Sequence, residues 1–270
     1  AAPDANGVWE GFDVAIRRAV AAAVFGSGDA VEFVPTTGET RFTALASGEI
    51  DMLARNTTWT MSRDTDLKFD FTGVNYYDGQ GFMVPKALGV ASAKDLDGAT
   101  ICIQTGTTTE LNLADYFRSN NIAYQPVPIQ TNAEAQQQYL AGACDVYTTD
   151  ASGLAATRAT FEAPADHVLL PEIISKEPLG PLVRHGDNEW GDIVMWTQNA
   201  LIAAEEMGIT STNIAELSAA PTNNPEINRI LGTEGELGAM IGLSADWAKN
   251  AIAASGNYGE IFEKNIGENT

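Results

Sequence analysis

The sequence has few basic residues and no long apolar segment. Its 15 lysines and arginines stand against 36 aspartates and glutamates, a net charge of −21. This charge excludes a general nucleic-acid-binding surface, since phosphates require clustered cations, and it argues against binding to anionic lipid. No stretch approaches the roughly 20 apolar residues of a membrane-spanning helix. With 270 residues and 44% hydrophobic content, the sequence predicts a globular protein of one large or two ordinary domains.

Cysteine and histidine are also scarce. Cys102 and Cys144 are too few for a disulfide-dense scaffold or a four-ligand zinc site. Each lies in a predicted strand, and the residues alone leave two alternatives open: a disulfide in an oxidising compartment, or two separate buried thiols. His167 and His185 lie in separate segments without metal-ligand spacing, and no Gly-x-Ser-x-Gly motif occurs. We therefore predict no metal, no cofactor and no catalytic residue.

Helical and strand patterns alternate along the chain. Phe12–Phe25 carries apolar residues at helical spacing, Val31–Val34 is typical of a strand, Thr40–Ser47 predicts a short helix, and Ile50–Ala54 has the length of a buried strand. This order is typical of α/β proteins, in which helical crossovers join parallel strands.

The segment after Ile50–Ala54 is rich in small hydroxyl side chains and carries Arg55 and Arg63 at its two ends. Hydroxyls such as that of Thr58 let a ligand approach the backbone closely, and a guanidinium matches a carboxylate in shape and charge. The alternative interpretation is a loop with capping threonines and solvated arginines.

Two further segments have the composition of ligand-binding turns. Gly106, Thr107 and Thr108 lie between a predicted strand and a helix, where free N–H groups form an anion site. A capping box of Thr107 and Glu110 explains the same residues without a ligand. Asp150 follows another predicted strand, either as a helix N-cap or as a ligand carboxylate.

Together these segments resemble one protein family. Asp51, an apolar run and the Thr-x-Thr-x-x-Arg pattern from Thr58 to Arg63 agree with it, as do the Gly-Thr-Thr-Thr-Glu segment at 106–110 and Asp150. The chain resembles the periplasmic amino-acid-binding proteins of polar amino-acid ABC transporters (solute-binding protein family 3). Within that family it is most similar to the general L-amino-acid-binding branch.

The resemblance implies a two-lobe α/β fold, the type II periplasmic-binding-protein fold. Each lobe is expected to hold a mixed, mostly parallel sheet flanked by helices, and two hinge segments join the lobes. Residues 1–84 and 184–270 are expected to form lobe 1, and residues 85–183 lobe 2. The family's first strand is expected before Ala1, and one wall of the pocket with it.

The resemblance also implies roles for the candidate residues. Arg63 would bind the ligand's α-carboxylate, with help from Thr58 and the N–H of Thr108. Asp150 would bind the α-ammonium together with the Asn56 carbonyl and the Thr58 hydroxyl. Since these residues belong to both lobes, the ligand would bind in an interlobe cleft and draw the lobes together.

Selectivity would fall to the neighbouring side chains, which are polar or cationic and include no acid. They favour polar L-amino acids, with glutamate, aspartate, glutamine and asparagine foremost and lysine and arginine weaker. The full set of candidate ligand-binding residues is Arg55, Asn56, Thr58, Arg63, Gln104, Thr107, Thr108, Thr149 and Asp150.

As a member of this family, the protein would be a monomeric periplasmic receptor that delivers L-amino acids to the membrane permease of an ABC importer. The alternative is an enzyme of the same fold, such as a cyclohexadienyl dehydratase. That reaction needs a carboxylic acid as general acid, and Glu10 and Asp150 are the candidates in this sequence.

Overall fold

The computed structural model describes residues 7–267, which divide into two compact units. Unit 1 is formed by the described parts of Ala1–Pro35, Ile50–Asn75 and Gly180–Thr270, and unit 2 by Thr36–Glu49 and Tyr76–Leu179. The lobe boundaries expected from the sequence, 84/85 and 183/184, stay predictions. Among the described residues, none of the helices is both long and apolar enough to cross a membrane.

The helices of the described residues are α1 (Phe12–Phe25), α2 (Arg41–Ser47), α3 (Thr108–Ser119), α4 (Asn132–Leu140), α5 (Ala151–Ala159), α6 (Asn188–Glu206), α7 (Ile214–Leu217), α8 (Pro225–Ile230), α9 (Leu237–Met240), α10 (Trp247–Ser255) and α11 (Tyr258–Asn265). The strands are β1 (Phe69–Phe71), β2 (Tyr76–Asp78), β3 (Gln80–Pro85), β4 (Thr100–Gln104), β5 (Gln125–Ile129), β6 (Val146–Asp150), β7 (His167–Leu169), β8 (Glu177–Leu179) and β9 (Leu182–Arg184).

Unit 2 is built on a five-stranded mixed sheet in the order β5-β4-β6-β3-β7. β4 is parallel to β5 and β6, and β3 is antiparallel to β6 and β7. Alternate residues of β4 enter different cores: Ile101 and Ile103 pack in one with Phe117 of α3, and Cys102 packs in another with Tyr139 of α4. This sheet with flanking helices confirms the predicted α/β class.

The two cysteines are joined. Cys102 of β4 and Cys144, just before β6, form a disulfide with their Cα atoms 5.6 Å apart. Because β4 and β6 are neighbours in the sheet, the bond links two adjacent strands inside the core. Of the two alternatives that the residues left open, the structure contains the pairing.

Unit 1 has a helical core in which α1 packs on α10. Small residues on both helices, among them Ala19, Ala23, Ala248 and Ala251, are at most 3% exposed, so the helix backbones approach closely. β1 and β9 form an antiparallel pair beside this core.

Two strand predictions for unit 1 were wrong. Val31–Val34 forms no strand, and within Ile50–Ala54 only Leu53 makes a bridge, to Leu182. A strand exists only where a neighbour supplies hydrogen bonds along its length. Among residues 7–267, the first segment has no such neighbour and the second has one at a single position.

Candidate functional site

The candidate residues of unit 1 lie on one loop, which is hydrogen-bonded to Asp13 of α1. The N–H of Asn56 donates to Asp13 Oδ2 at 2.9 Å, and Asn75 Nδ2 donates to Asp13 Oδ1 at 3.2 Å. Asn56 has a φ of 37°, a conformation that asparagine adopts more readily than other non-glycine residues. Asp13 is not among the candidate residues predicted from the sequence, although its carboxylate fixes the loop.

Arg63 is buried, with 6% of its surface exposed, in a π-helical turn at Ser62–Asp66. Its Nη1 donates to the carbonyl of Thr58 at 2.7 Å, and Thr58 is itself 5% exposed. The alternative of a solvated arginine is therefore wrong for Arg63. A π-helical turn is rare and is frequently found at functional sites.

Trp59 lies between these two residues in the sequence and stacks on Phe71 of β1. Their ring centroids are 5.3 Å apart and the planes differ by 9°. The indole Nε1 also donates to Asp64 Oδ2 at 2.9 Å. The stacking ties the loop to β1, and the bond to Asp64 links Trp59 to the π-helical turn that carries Arg63, so Thr58 and Arg63 are held in place.

Arg55 is half-buried, and Arg17 of α1 adds a second cation near it. Burial lowers the pKa of the Arg17 guanidinium; the Asp13 carboxylate opposes that effect, and the positive charge of Arg55 adds to it. Arg17 Nε donates to the carbonyl of Asp13 at 3.2 Å. Unit 1 therefore brings Arg17, Asp13, Arg55 and Asn56 together around the base of the loop.

The candidate residues of unit 2 begin at the turn between β4 and α3. Gly106 has a φ of 71°, and a Cβ there would lie 2.9 Å from Glu39 Cγ, so only glycine fits without strain. Thr107 Oγ1 accepts from the N–H of Glu110 at 3.3 Å, whereas the Glu110 carboxylate accepts from the N–H of Gly106 at 3.1 Å. Thr107 is thus the N-cap of α3. A capping box predicts that the Glu110 carboxylate accepts from the N–H of Thr107, whereas here it accepts from the N–H of Gly106.

Asp150 ends β6 and is 8% exposed. It occupies the N-cap position of α5, yet its side chain makes no capping hydrogen bond. Asp78 supplies that contact: its Oδ1 accepts from the N–H of Ser152 at 3.4 Å and its Oδ2 accepts from the Ser152 hydroxyl. The capping alternative is therefore wrong for Asp150, because Asp78 carries that role.

Gln80 connects the ends of these elements. It is the cross-strand partner of Asp150, and its Nε2 donates to Thr148 Oγ1 at 3.0 Å and to the carbonyl of Thr109 at 3.1 Å. The first turn of α3, where Thr108 begins the helix, is thereby tied to the end of β6. The structure brings Thr108 and Asp150 to the same edge of the sheet.

The two remaining candidates of unit 2 lie at strand ends. Gln104 is 8% exposed, and its Nε2 donates to the carbonyl of Gln130 at 2.6 Å, so it is not a solvated side chain. Thr149 is half-buried and pairs with Gly81 of β3. No group of three or more metal-ligating side chains is found in the described part of the chain.

The family of the chain follows from a comparison with known proteins. Residues 1–213 match the model of the bacterial extracellular solute-binding proteins, family 3. The chain belongs to this family. The family predicted from the sequence is confirmed. The fold and the candidate residues are therefore those of an extracytoplasmic solute-binding protein.

Individual relatives agree with the family. The chain is 69% identical to the glutamate/glutamine/aspartate/asparagine-binding protein BztA of Rhodobacter capsulatus, over 100% of this chain and 80% of that protein. It is 59% identical to the general L-amino acid-binding periplasmic protein AapJ of Rhizobium johnstonii, over 99% of this chain and 79% of that protein. A solved ABC transporter periplasmic binding protein from Brucella ovis, with glutathione bound, is 54% identical and superimposes with a TM-score of 0.94 over 99% of this chain and 84% of that one.

These relatives also bear on the enzyme alternative. Both curated relatives are named as binding proteins and not as enzymes. Of the two candidate general acids, Glu10 is exposed on the surface and Asp150 is buried beside the turn that begins α3. A solute-binding protein is therefore the supported interpretation for this family member, and the dehydratase alternative is not.

Proposed function

We propose that this family member is a periplasmic receptor that binds glutamate, aspartate, glutamine and asparagine and delivers them to the permease of an ABC importer. The two named relatives are described as binding these amino acids or L-amino acids in general. The match to periplasmic proteins of the same family supports the location.

The observation that carries the proposal is that each unit holds one buried charged group and that the two charges are opposite. Arg63 is 6% exposed in the π-helical turn of unit 1, and Asp150 is 8% exposed at the end of β6 in unit 2. A guanidinium matches a carboxylate in shape and charge, and a carboxylate accepts hydrogen bonds from an ammonium group. An α-amino acid carries both: its carboxylate would bind Arg63 and Thr58, and its ammonium Asp150.

Side-chain selectivity would come from Arg55, Gln104 and Thr149, with Arg17 adding positive charge near Arg55. These groups suit carboxylate and amide side chains and offer a cationic side chain no counter-charge. We therefore expect lysine and arginine to bind less tightly than glutamate and glutamine, and D-enantiomers to fail.

Calorimetry with Arg63→Ala tests the proposal. Losing one partner of a buried charge pair costs about 3 to 5 kcal/mol, so glutamate affinity should fall by roughly 10² to 10³·⁵. Arg118→Ala is the matched control, because Arg118 is paired with Asp115 at 79% side-chain exposure. Unchanged affinity in Arg63→Ala would refute the assignment, as would arginine binding tenfold tighter than glutamate and glutamine.

Glutathione is a second candidate ligand, favoured by its presence in the similar Brucella ovis structure. Its γ-glutamyl end carries the same free α-ammonium and α-carboxylate as glutamate, so the same two charges would bind it. Competition calorimetry of glutathione against glutamate on the wild-type protein decides between them. If glutathione binds, Arg63→Ala should weaken both ligands equally.

A further inference from the structure

A buried carboxylate outside the candidate ligand set lies next to Thr108. Glu177 of β8 is 2% exposed. Its Oε1 accepts from Asn112 Nδ2 at 2.7 Å and from the Ser175 hydroxyl at 2.6 Å, and its Oε2 accepts from the Thr108 hydroxyl at 3.0 Å. The Ser175 oxygen itself accepts from the N–H of Gln80 at 3.1 Å, which directs its hydrogen to Glu177.

These bonds fix the polarity of the Thr108 hydroxyl. A carboxylate can only accept, so the Thr108 hydrogen must point at Glu177. A hydroxyl has one hydrogen, and toward any other neighbour Thr108 Oγ1 can therefore only accept. Thr108 begins α3, which Gln80 ties to the end of β6 beside Asp150. Two acceptors, the Thr108 hydroxyl oxygen and the Asp150 carboxylate, thus lie at one edge of the sheet.

We propose that Glu177 is a positioning residue that makes the Thr108 hydroxyl an obligatory hydrogen-bond acceptor for the ligand's α-ammonium. This inference rests on the proposed amino-acid-binding function. It adds to the earlier expectation, which gave the N–H of Thr108 a role toward the α-carboxylate and its hydroxyl none. With Glu177 in place, the Thr108 hydroxyl and the Asp150 carboxylate offer the α-nitrogen acceptors only, and they select a ligand whose α-nitrogen donates.

The isosteric change Glu177→Gln tests the polarity directly. Asn112 and Ser175 both donate to Oε1, so the amide oxygen takes that position and the amide –NH₂ takes the position facing Thr108. The amide then donates to Thr108 Oγ1, and the hydroxyl hydrogen turns away from residue 177 toward the ligand. The ammonium would meet a donor in place of an acceptor.

Two ligands separate a polarity effect from general damage: L-glutamate and L-2-hydroxyglutarate, whose α-hydroxyl can accept a hydrogen bond. In Glu177→Gln, L-glutamate affinity should fall about 10- to 100-fold, the size of a hydrogen bond to a charged group. Affinity for L-2-hydroxyglutarate, measured by competition, should change less than about threefold. Equal losses for both ligands would overturn the proposal, since loosened packing does not distinguish them.

Variants at Thr108 complete the test. Thr108→Val should lower L-glutamate affinity about 10- to 100-fold, whereas Thr108→Ser should retain wild-type affinity. When Glu177→Gln is added to Thr108→Val, L-glutamate affinity should fall by less than a further factor of about two, because the two residues act through the same hydroxyl. If Glu177→Gln does not fold, the Val and Ser variants still decide: equal affinity in both overturns the proposal. Loss of binding in Arg63→Ala with none in Glu177→Gln overturns this inference alone. Unchanged binding in Arg63→Ala overturns the proposed function and this inference with it.

Discussion

The disulfide between Cys102 and Cys144 should be a principal source of the stability of unit 2. It closes a loop with a sequence separation of 42 residues. The loss of chain entropy in the unfolded state for such a loop amounts to about 4 kcal/mol at 25 °C. Both cysteines lie in the core, at 0% and 1% exposure. Two thiol sulfurs need more room than a bonded pair, so the stability difference between oxidised and reduced protein contains the lost constraint and a repacking cost of the same sign.

The distribution of tryptophans allows the two units to be measured separately. All five tryptophans belong to the segments of unit 1, whereas both cysteines belong to unit 2. Reduction should accelerate amide exchange in β4 and β6, measured by hydrogen-exchange mass spectrometry, and move the tryptophan-fluorescence transition in urea much less. Cys102→Ala/Cys144→Ala should behave like reduced protein, or be slightly less stable. Equal β4 and β6 exchange in oxidised and reduced protein would refute the reasoning, as would two reactive thiols in the denatured, non-reduced protein.

Three further predictions concern carboxylates. Asp78→Ala removes the cap of α5 and should destabilise unit 2 by about 1 kcal/mol; unchanged exchange of the α5 amides would contradict this. Asp13→Ala removes an acceptor of the Asn75 side-chain amide, which is 3% exposed, and should destabilise unit 1 by about 1 to 3 kcal/mol in urea unfolding followed by tryptophan fluorescence; a wild-type midpoint would contradict this. Burial raises the pKa of Glu260, but hydrogen bonds from Ser211 and the Asn257 N–H outweigh burial and lower it. Its contribution is therefore full above the unfolded pKa and lost as pH falls through the folded one, so Glu260→Gln should be less stable than wild type at pH 7 and differ less at pH 3. A difference independent of pH would contradict that sign.

Elements with a strong local pattern could be predicted from the sequence. The helix Phe12–Phe25 has the bounds that its apolar spacing predicted, and the strand predicted at Cys102 is β4. Val31–Val34 has an equally good strand pattern but no partner among the described residues. Periodicity shows that a segment suits a sheet, whereas the sheet itself depends on hydrogen bonds from elsewhere in the chain.

The candidate site shows the same division. Arg63, Thr108 and Asp150 stand in short motifs that can be recognised locally, and their roles as ligand contacts stay predictions. The carboxylates that position such groups could not be found in this way, because their partners are distant in sequence. Asp13 contacts a residue 43 positions away, and Glu177 contacts Thr108 over 69 positions. No local pattern encodes contacts at that range.

The division of the chain between the two units determines the order in which they are completed during synthesis. Every residue of unit 2 has been made once Leu179 is added, whereas unit 1 needs the segment that begins at Gly180 and supplies α6, α10 and α11. Since domains fold as units from the N-terminus onward, unit 2 can form its sheet before α6, α10 and α11 are available to pack on the first two segments of unit 1. Those segments expose α1 and the Asn56–Arg63 loop in the meantime, so a chaperone that assists this protein should bind nascent chains that end between Gly180 and α10.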